Sequence, residues 1–320
     1  MSRSKKSVFF LAGVFSCLLL LAPVFASSQL DVLSCEPEWA ALVNELAGEL
    51  ADIKSATTVR QDPHHITAKP SLIAAMRRAK LLVCSGADLE VGWLPTLLEK
   101  AGNGDVAPGS NGYLMIADVI TLQEKPASVD RSQGDVHPQG NPHSHLDPRN
   151  IALAANTITA RLLALDPTHA AQYKQKNALF IARWQQALAG WQTRANALKG
   201  MKLVSHHSDW VYLATWLQLD MIATLEPLPG VPPTPSHLQK LLALMRDQKV
   251  SAIVRTPFEP ADASDWLSQK TGAPALILPY SVDKDSSVPD LFALFDKTLQ
   301  ALEKINTKTP PAKTLAAPAA

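Results

Sequence analysis

The chain has nine histidines, and most of them are grouped. His64 and His65 stand together, His137, His143 and His145 form a second group, and His206 and His207 a third. Only His169 and His237 stand alone. A neutral imidazole is a nitrogen ligand that suits borderline divalent ions: zinc first, then copper or nickel. A hard-ion site would gather Asp and Glu side chains instead. Three groups set far apart along the chain therefore point to a metal site assembled from several loops. Enzyme signatures are absent: there is no HExxH, no GxSxG, no P-loop, no CxxC and no GxGxxG ahead of a helix. Ser205, His206, His207, Ser208 and Asp209 include the residue types of a hydrolase triad, but sequence neighbours do not converge as a triad must. No enzyme activity is expected.

The elements that must position these loops follow from the apolar pattern. Short apolar runs at 30–34, 53–59, 81–84 and 113–116 alternate with amphipathic segments at 38–50, 70–79 and 89–100. The pattern recurs with strands at 202–205, 221–225, 252–255 and 276–279, and helices at 210–217, 236–247, 261–271 and 288–305. Strands alternating with helices predict parallel sheets flanked by helices. The fold class is thus α/β, with two lobes, 27–147 and 200–305, joined by a long helical spine over 148–199. Pro167, preceded by Asp166, is placed to break or restart that spine. Phe180, Trp184, Leu188, Trp191, Ala195 and Leu198 make an apolar stripe on it at helical period, which reads as core. Ligands of open α/β folds bind beyond the carboxyl ends of the strands. His64 and His65 follow the second strand, His206 and His207 end the strand 202–205, and His143 precedes the spine. Loops from both lobes can therefore meet on one ion.

A net charge of +1, with 47% hydrophobic and 18% charged residues, describes a globular chain. It excludes a mostly disordered, collagenous or many-span membrane protein, and no nucleic-acid partner is expected. Arg3, Lys5 and Lys6 precede an apolar run that ends in Val24-Phe25-Ala26. This reads as a signal peptide over 1–26, which implies a soluble, exported mature protein; that protein is expected to be a monomer. The loop 123–141 reads as exposed, and the tail 306–320 as disordered. Cys35 and Cys84 remain after cleavage. An even count in an oxidising compartment permits one disulfide, and neighbouring parallel strands would bring the pair within reach. The alternative is two buried free thiols.

Three stretches give these features a family. Asp62-Pro-His-His-Ile-Thr-Ala-Lys-Pro-Ser71, Gly140-Asn-Pro-His-Ser-His-Leu-Asp-Pro148 and Ser205-His-His-Ser-Asp-Trp-Val-Tyr-Leu213 resemble, in order, the metal-ligand motifs of the cluster A-I, zinc-type solute-binding proteins of ABC transporters. Gly86-Ala-Asp-Leu-Glu90 with Trp93-Leu-Pro95 resembles the segment between the first two. The resemblance runs from about residue 30 to 302. It implies two lobes on one long backbone helix, a zinc ion bound as transported substrate in the cleft, and an inner-membrane permease as partner. By motif position it implies His64, His143 and His207 as ligands. Manganese-type relatives carry Glu at the third position, so His207 implies zinc.

The family's fourth ligand, an Asp after the last strand, is replaced here by Pro279 and Tyr280. Asp283, Asp285, Glu259, His145, His137 or water remain as candidates for that position. His65 and His206 are expected beside the ligands rather than on the metal, and Asp147 to cap the spine or hold a ligand imidazole. Three imidazoles lose metal as they protonate, so affinity is expected to fall as pH drops through about 6.5. A zinc-dependent hydrolase, and a zinc chaperone or adhesin of the exported compartment, are the alternatives.

Overall fold

The computed structural model describes residues 29–128 and 134–306. The expected signal peptide, and the tail beyond 306, lie outside the described residues. Two four-stranded sheets form. β1 (Leu30–Ser34), β2 (Ala51–Ser55), β3 (Leu81–Cys84) and β4 (Tyr113–Met115) take the order β2-β1-β3-β4. β5 (Lys202–Ser205), β6 (Asp220–Thr224), β7 (Ala252–Arg255) and β8 (Ala275–Ile277) take the equivalent order β6-β5-β7-β8. All pairings are parallel. Parallel strands need crossovers, and α1 (Pro37–Ala47), α2 (Pro70–Arg78) and α3 (Leu94–Ala101) supply them in the first half. Proline occupies the start of α1 and α2, where its missing N–H is not needed.

Several boundaries shift by a few residues from the sequence reading, β8 ending at Ile277 rather than 279 and α9 beginning at Leu291 rather than 288, and two shifts have a local cause. β2 ends at Ser55 because the chain turns back onto β1, where the Thr57 amide and hydroxyl both donate to the Cys35 carbonyl at 3.0 Å. α3 begins at Leu94 rather than 89 because the chain first closes tight turns, the Leu89, Val91 and Trp93 amides donating to the Gly86, Asp88 and Glu90 carbonyls three residues back.

The spine breaks at Pro167, as its sequence foreshadowed. α4 (Pro148–Leu165) stops at Asp166, held at φ −137° and ψ 74° ahead of the proline, and α5 (Ala170–Ala195) turns back along it. The pair is antiparallel: the Trp184 indole donates to the Pro148 carbonyl at 2.8 Å, and Asn177 bonds Asn156 at 3.0 Å. Pro148 starts α4, and the Asp147 carboxylate caps it by accepting from the Arg149 amide.

In the second half α6 (Val211–Leu217), α7 (Pro235–Gln248), α8 (Asp262–Thr271) and α9 (Leu291–Asn306) flank the sheet. The α5 stripe is core, as expected. Trp184 meets Phe180, Trp191 and the α9 residue Phe292 at ring separations of 5.3, 5.1 and 4.9 Å. One apolar cluster continues from α1 through α4 and α5 into β5 and α9, so the halves share a core.

Cys35 and Cys84 form the disulfide, fully buried across the ends of β1 and β3. A loop of this separation, 49 residues, is worth about 2–4 kcal/mol in chain-entropy accounting. No helix among the described residues is long and apolar enough to cross a membrane.

Candidate metal centre

β1 and β5 are the strands from which crossovers leave in opposite directions, where open α/β sheets form a ligand crevice. The His64 loop follows β2, and His207 follows β5 by two residues. The segment entering α4 brings His143 between them. Ring centroids are 5.6 Å apart for His64–His143, 5.7 Å for His64–His207 and 5.9 Å for His143–His207. One ring nitrogen of each lies within 4.8 Å of the others. His143 is fully buried, His207 nearly so, and His64 half-buried.

Each ring is held from behind. His64 Nδ1 lies 2.7 Å from Asp62 Oδ1, His207 Nδ1 lies 2.7 Å from Glu226 Oε2, and His143 Nδ1 lies 2.8 Å from the Tyr280 hydroxyl. An ionised carboxylate only accepts, so Nδ1 of His64 and of His207 carries the proton. Once the second ring proton is lost, each presents a bare Nε2 inward, the form that binds a cation. The Nε2 atoms of His143 and His207 are buried without a hydrogen-bond partner.

The loops themselves are fastened. The Trp93 indole donates to the Pro63 carbonyl at 2.8 Å, beside His64. Asn141 accepts from the His143 amide at 3.1 Å and donates to the Ser208 carbonyl at 2.8 Å, tying the His143 and His207 loops together. Neither tie was read from the sequence, because both run through backbone carbonyls that any residue supplies. Asp62→Ala removes the partner that orients His64, and is expected to weaken metal binding roughly 10–100-fold with little change in fold, measured by chelator competition.

Electrostatics divide the rings. Burial, reinforced by His64 and His207, holds His143 well below the usual histidine range. Burial and His64 lower His137 to about 4. His207 goes the other way: burial opposes its charge, but Asp209, Glu226 and Glu259 outweigh it and raise it to about 9. The pH threshold of about 6.5 expected from sequence therefore does not describe this ring.

The remaining candidates separate. His137 joins the cluster, with Nε2 3.3 Å from His64 Nε2 and Nδ1 3.0 Å from the Ala87 carbonyl. That carbonyl can only accept, so neutral His137 also turns a bare Nε2 inward. Two bare nitrogens this close need a proton on one of them, or a metal cation, between them. His145 turns away from the three rings: Nε2 meets the Tyr280 carbonyl at 2.9 Å, and Nδ1 lies 3.4 Å from Glu38. Asp283 and Asp285 sit in a surface turn closed by an Asp283–Val288 bridge, outside the cluster. His65 is exposed, 3.8 Å from Asp135. His206 is buried beside Pro233, Pro235 and Trp266. Glu90 is buried and accepts from the Gly86 amide.

Asp209 was not read as a site residue. It is 1% exposed, its Oδ1 lies 3.5 Å from His143 Nε2, and its Oδ2 has no partner. Burial and the neighbouring Glu259 carboxyl hold it well above the usual carboxylate range. The available signal was an acid two residues after a ligand-type histidine.

The family model for the zinc-uptake complex component A, periplasmic, matches residues 32–305. The manganese ABC transporter substrate-binding lipoprotein PsaA of Streptococcus pneumoniae is 22% identical over 90% of this chain and 87% of its own. The high-affinity zinc uptake system protein ZnuA of Bacillus subtilis is 22% identical over 83% of this chain and 87% of its own. A crystal structure of ZnuA superposes with a TM-score of 0.71 at 21% identity, covering 88% of this chain and 99% of that one, which bears out the fold expected from sequence. The model match spans nearly every described residue, and the chain belongs to the family of zinc-uptake complex component A.

Proposed function

We propose that this chain is the exported, periplasmic zinc receptor of a metal ABC transporter. It captures Zn²⁺ on His64, His143 and His207 and hands it, as a monomer, to an inner-membrane permease. The observation that carries this reading is the convergence of three ring nitrogens within 4.8 Å, backed by partners on Nδ1. The relatives named above divide between zinc and manganese. A set of imidazole nitrogens favours zinc, because manganese prefers oxygen-rich coordination. On this reading 27–147 and 200–305 are the lobes, 148–199 is the spine, and residues 1–26 are removed on export. His145 ties the spine entrance to the chain after β8 rather than binding metal. The bound ion is cargo, so the site serves exchange with a permease rather than turnover of a substrate.

The test is metal content of untagged residues 27–320, followed by competition between zinc and manganese. One tightly held zinc per chain that excess manganese does not displace is the expected result. Manganese displacing zinc, or no metal held, would overturn the assignment.

A further inference from the structure

We propose that Asp209 is the fourth ligand of the cargo ion, completing a set of three imidazoles and one carboxylate; this rests on reading His64, His143 and His207 as the zinc site. Zinc bonds of about 2.0–2.2 Å at a tetrahedral angle place neighbouring donors about 3.4 Å apart. Asp209 Oδ1 and His143 Nε2 are 3.5 Å apart. The His143 nitrogen has no hydrogen-bond partner, and neither does Asp209 Oδ2.

Elimination supports the same atom. The other carboxylates close to the rings are already in use. Asp62 holds His64, and Glu226 holds His207 and also accepts from the Gly230 amide at 2.8 Å. Glu259 accepts from the Thr256 amide at 2.6 Å. Asp283 and Asp285 are engaged in their own turn. Among these carboxylates only Asp209 has a fully buried oxygen without a hydrogen-bond partner.

Charge completes the case. Burying a carboxylate costs several kcal/mol unless a cation compensates it. Asp209 is buried, and no Lys or Arg side chain is paired with it among the described residues. Zn²⁺ on three neutral imidazoles has the opposite problem, an uncompensated buried double charge. Ligation by Asp209 relieves both at once. The backbone already aims it: Asp209 lies in the short 3₁₀ turn Ser208–Trp210 that follows His207, so one loop delivers an imidazole and a carboxylate to the same ion.

The rival for the fourth position is His137, whose Nε2 lies 3.3 Å from His64 Nε2. The experiment compares Asp209→Asn with His137→Ala, reading zinc affinity and the visible absorption of the cobalt(II)-loaded protein. Asp209→Asn is expected to lower zinc affinity roughly 10²-fold, the scale of one ligand in a four-ligand site, and to shift the cobalt bands. His137→Ala is expected to leave those bands in place. Wild-type zinc affinity and an unshifted cobalt spectrum in Asp209→Asn would overturn the proposal, as would a band shift confined to His137→Ala. The variant keeps the size and shape of the side chain, so the metal-free form is expected to fold as wild type does; should it not fold, Asp209→Ala is read in the same way. Wild-type zinc binding is measured first, together with its loss in His143→Ala. Failure there sinks the three-histidine reading, whereas failure confined to Asp209 leaves that reading intact.

Discussion

His143→Ala is expected to lower zinc affinity roughly 10²–10³-fold, since apparent binding energies of about 10–16 kcal/mol are shared among four ligands. Of the three rings His143 is the one with least freedom to be replaced. It is fully buried, its Nδ1 is held by the Tyr280 hydroxyl, and its Nε2 faces both other rings and Asp209. A water entering the space left by alanine would have to be stripped of most of its own hydrogen bonds. Competition against a chelator of known affinity measures the change. Binding that stays within threefold of wild type would place the cargo ion elsewhere. The same variant should keep its fold, because the shared core around Trp184 and Phe292 does not involve this ring.

The second large effect is a pH dependence that extends well above neutrality. His207 is raised to about 9 in the metal-free protein, so at pH 7 its ring carries a proton that zinc must displace. Zinc affinity should then rise about tenfold per pH unit from His207 alone, up to about 9, or roughly 10²-fold between pH 6.5 and 8.5. His143 and His137 are depressed and already neutral in this window, and add no slope.

The linkage to stability has the opposite sign in the two forms. A pKa raised on folding stabilises the metal-free protein below about 6.5, and that contribution is lost as pH rises through about 9. Metal-free melting temperature should therefore fall across this range, while zinc-induced stabilisation grows. Calorimetric titration in buffers of different ionisation heat reports the released proton directly. An affinity that is flat above pH 7 would show that His207 is neutral before the metal arrives.

Much of this was legible in the residues. β1, β3, β5 and β7 were placed to the residue, because each is a short apolar run bounded by polar or turn-forming chain. The proline at 167 announced the break in the spine. The paired strands of Cys35 and Cys84 made their disulfide foreseeable. The limits were clearest at β2 and α3, where a long-range turn onto Cys35 and a run of tight turns over 86–93 overrode the local pattern.

By itself the sequence determined which loops would meet. Histidine groups placed after strands, in a chain with duplicated α/β patterning, can converge only beyond the carboxyl ends of those strands. It did not determine which atoms within those loops would face the metal. His143 and His145 are two residues apart, yet one looks into the cluster and the other toward Glu38 and the Tyr280 carbonyl. Asp283 and Asp285 lie close to Tyr280 in sequence but turn to the surface, while Asp209 points inward. The proton on His207 depends on Asp209, Glu226 and Glu259 together. These outcomes rest on side-chain direction and on contacts between groups as far as 137 residues apart, as between His143 and Tyr280. Local pattern carries neither, because both follow from how the two sheets and the spine pack.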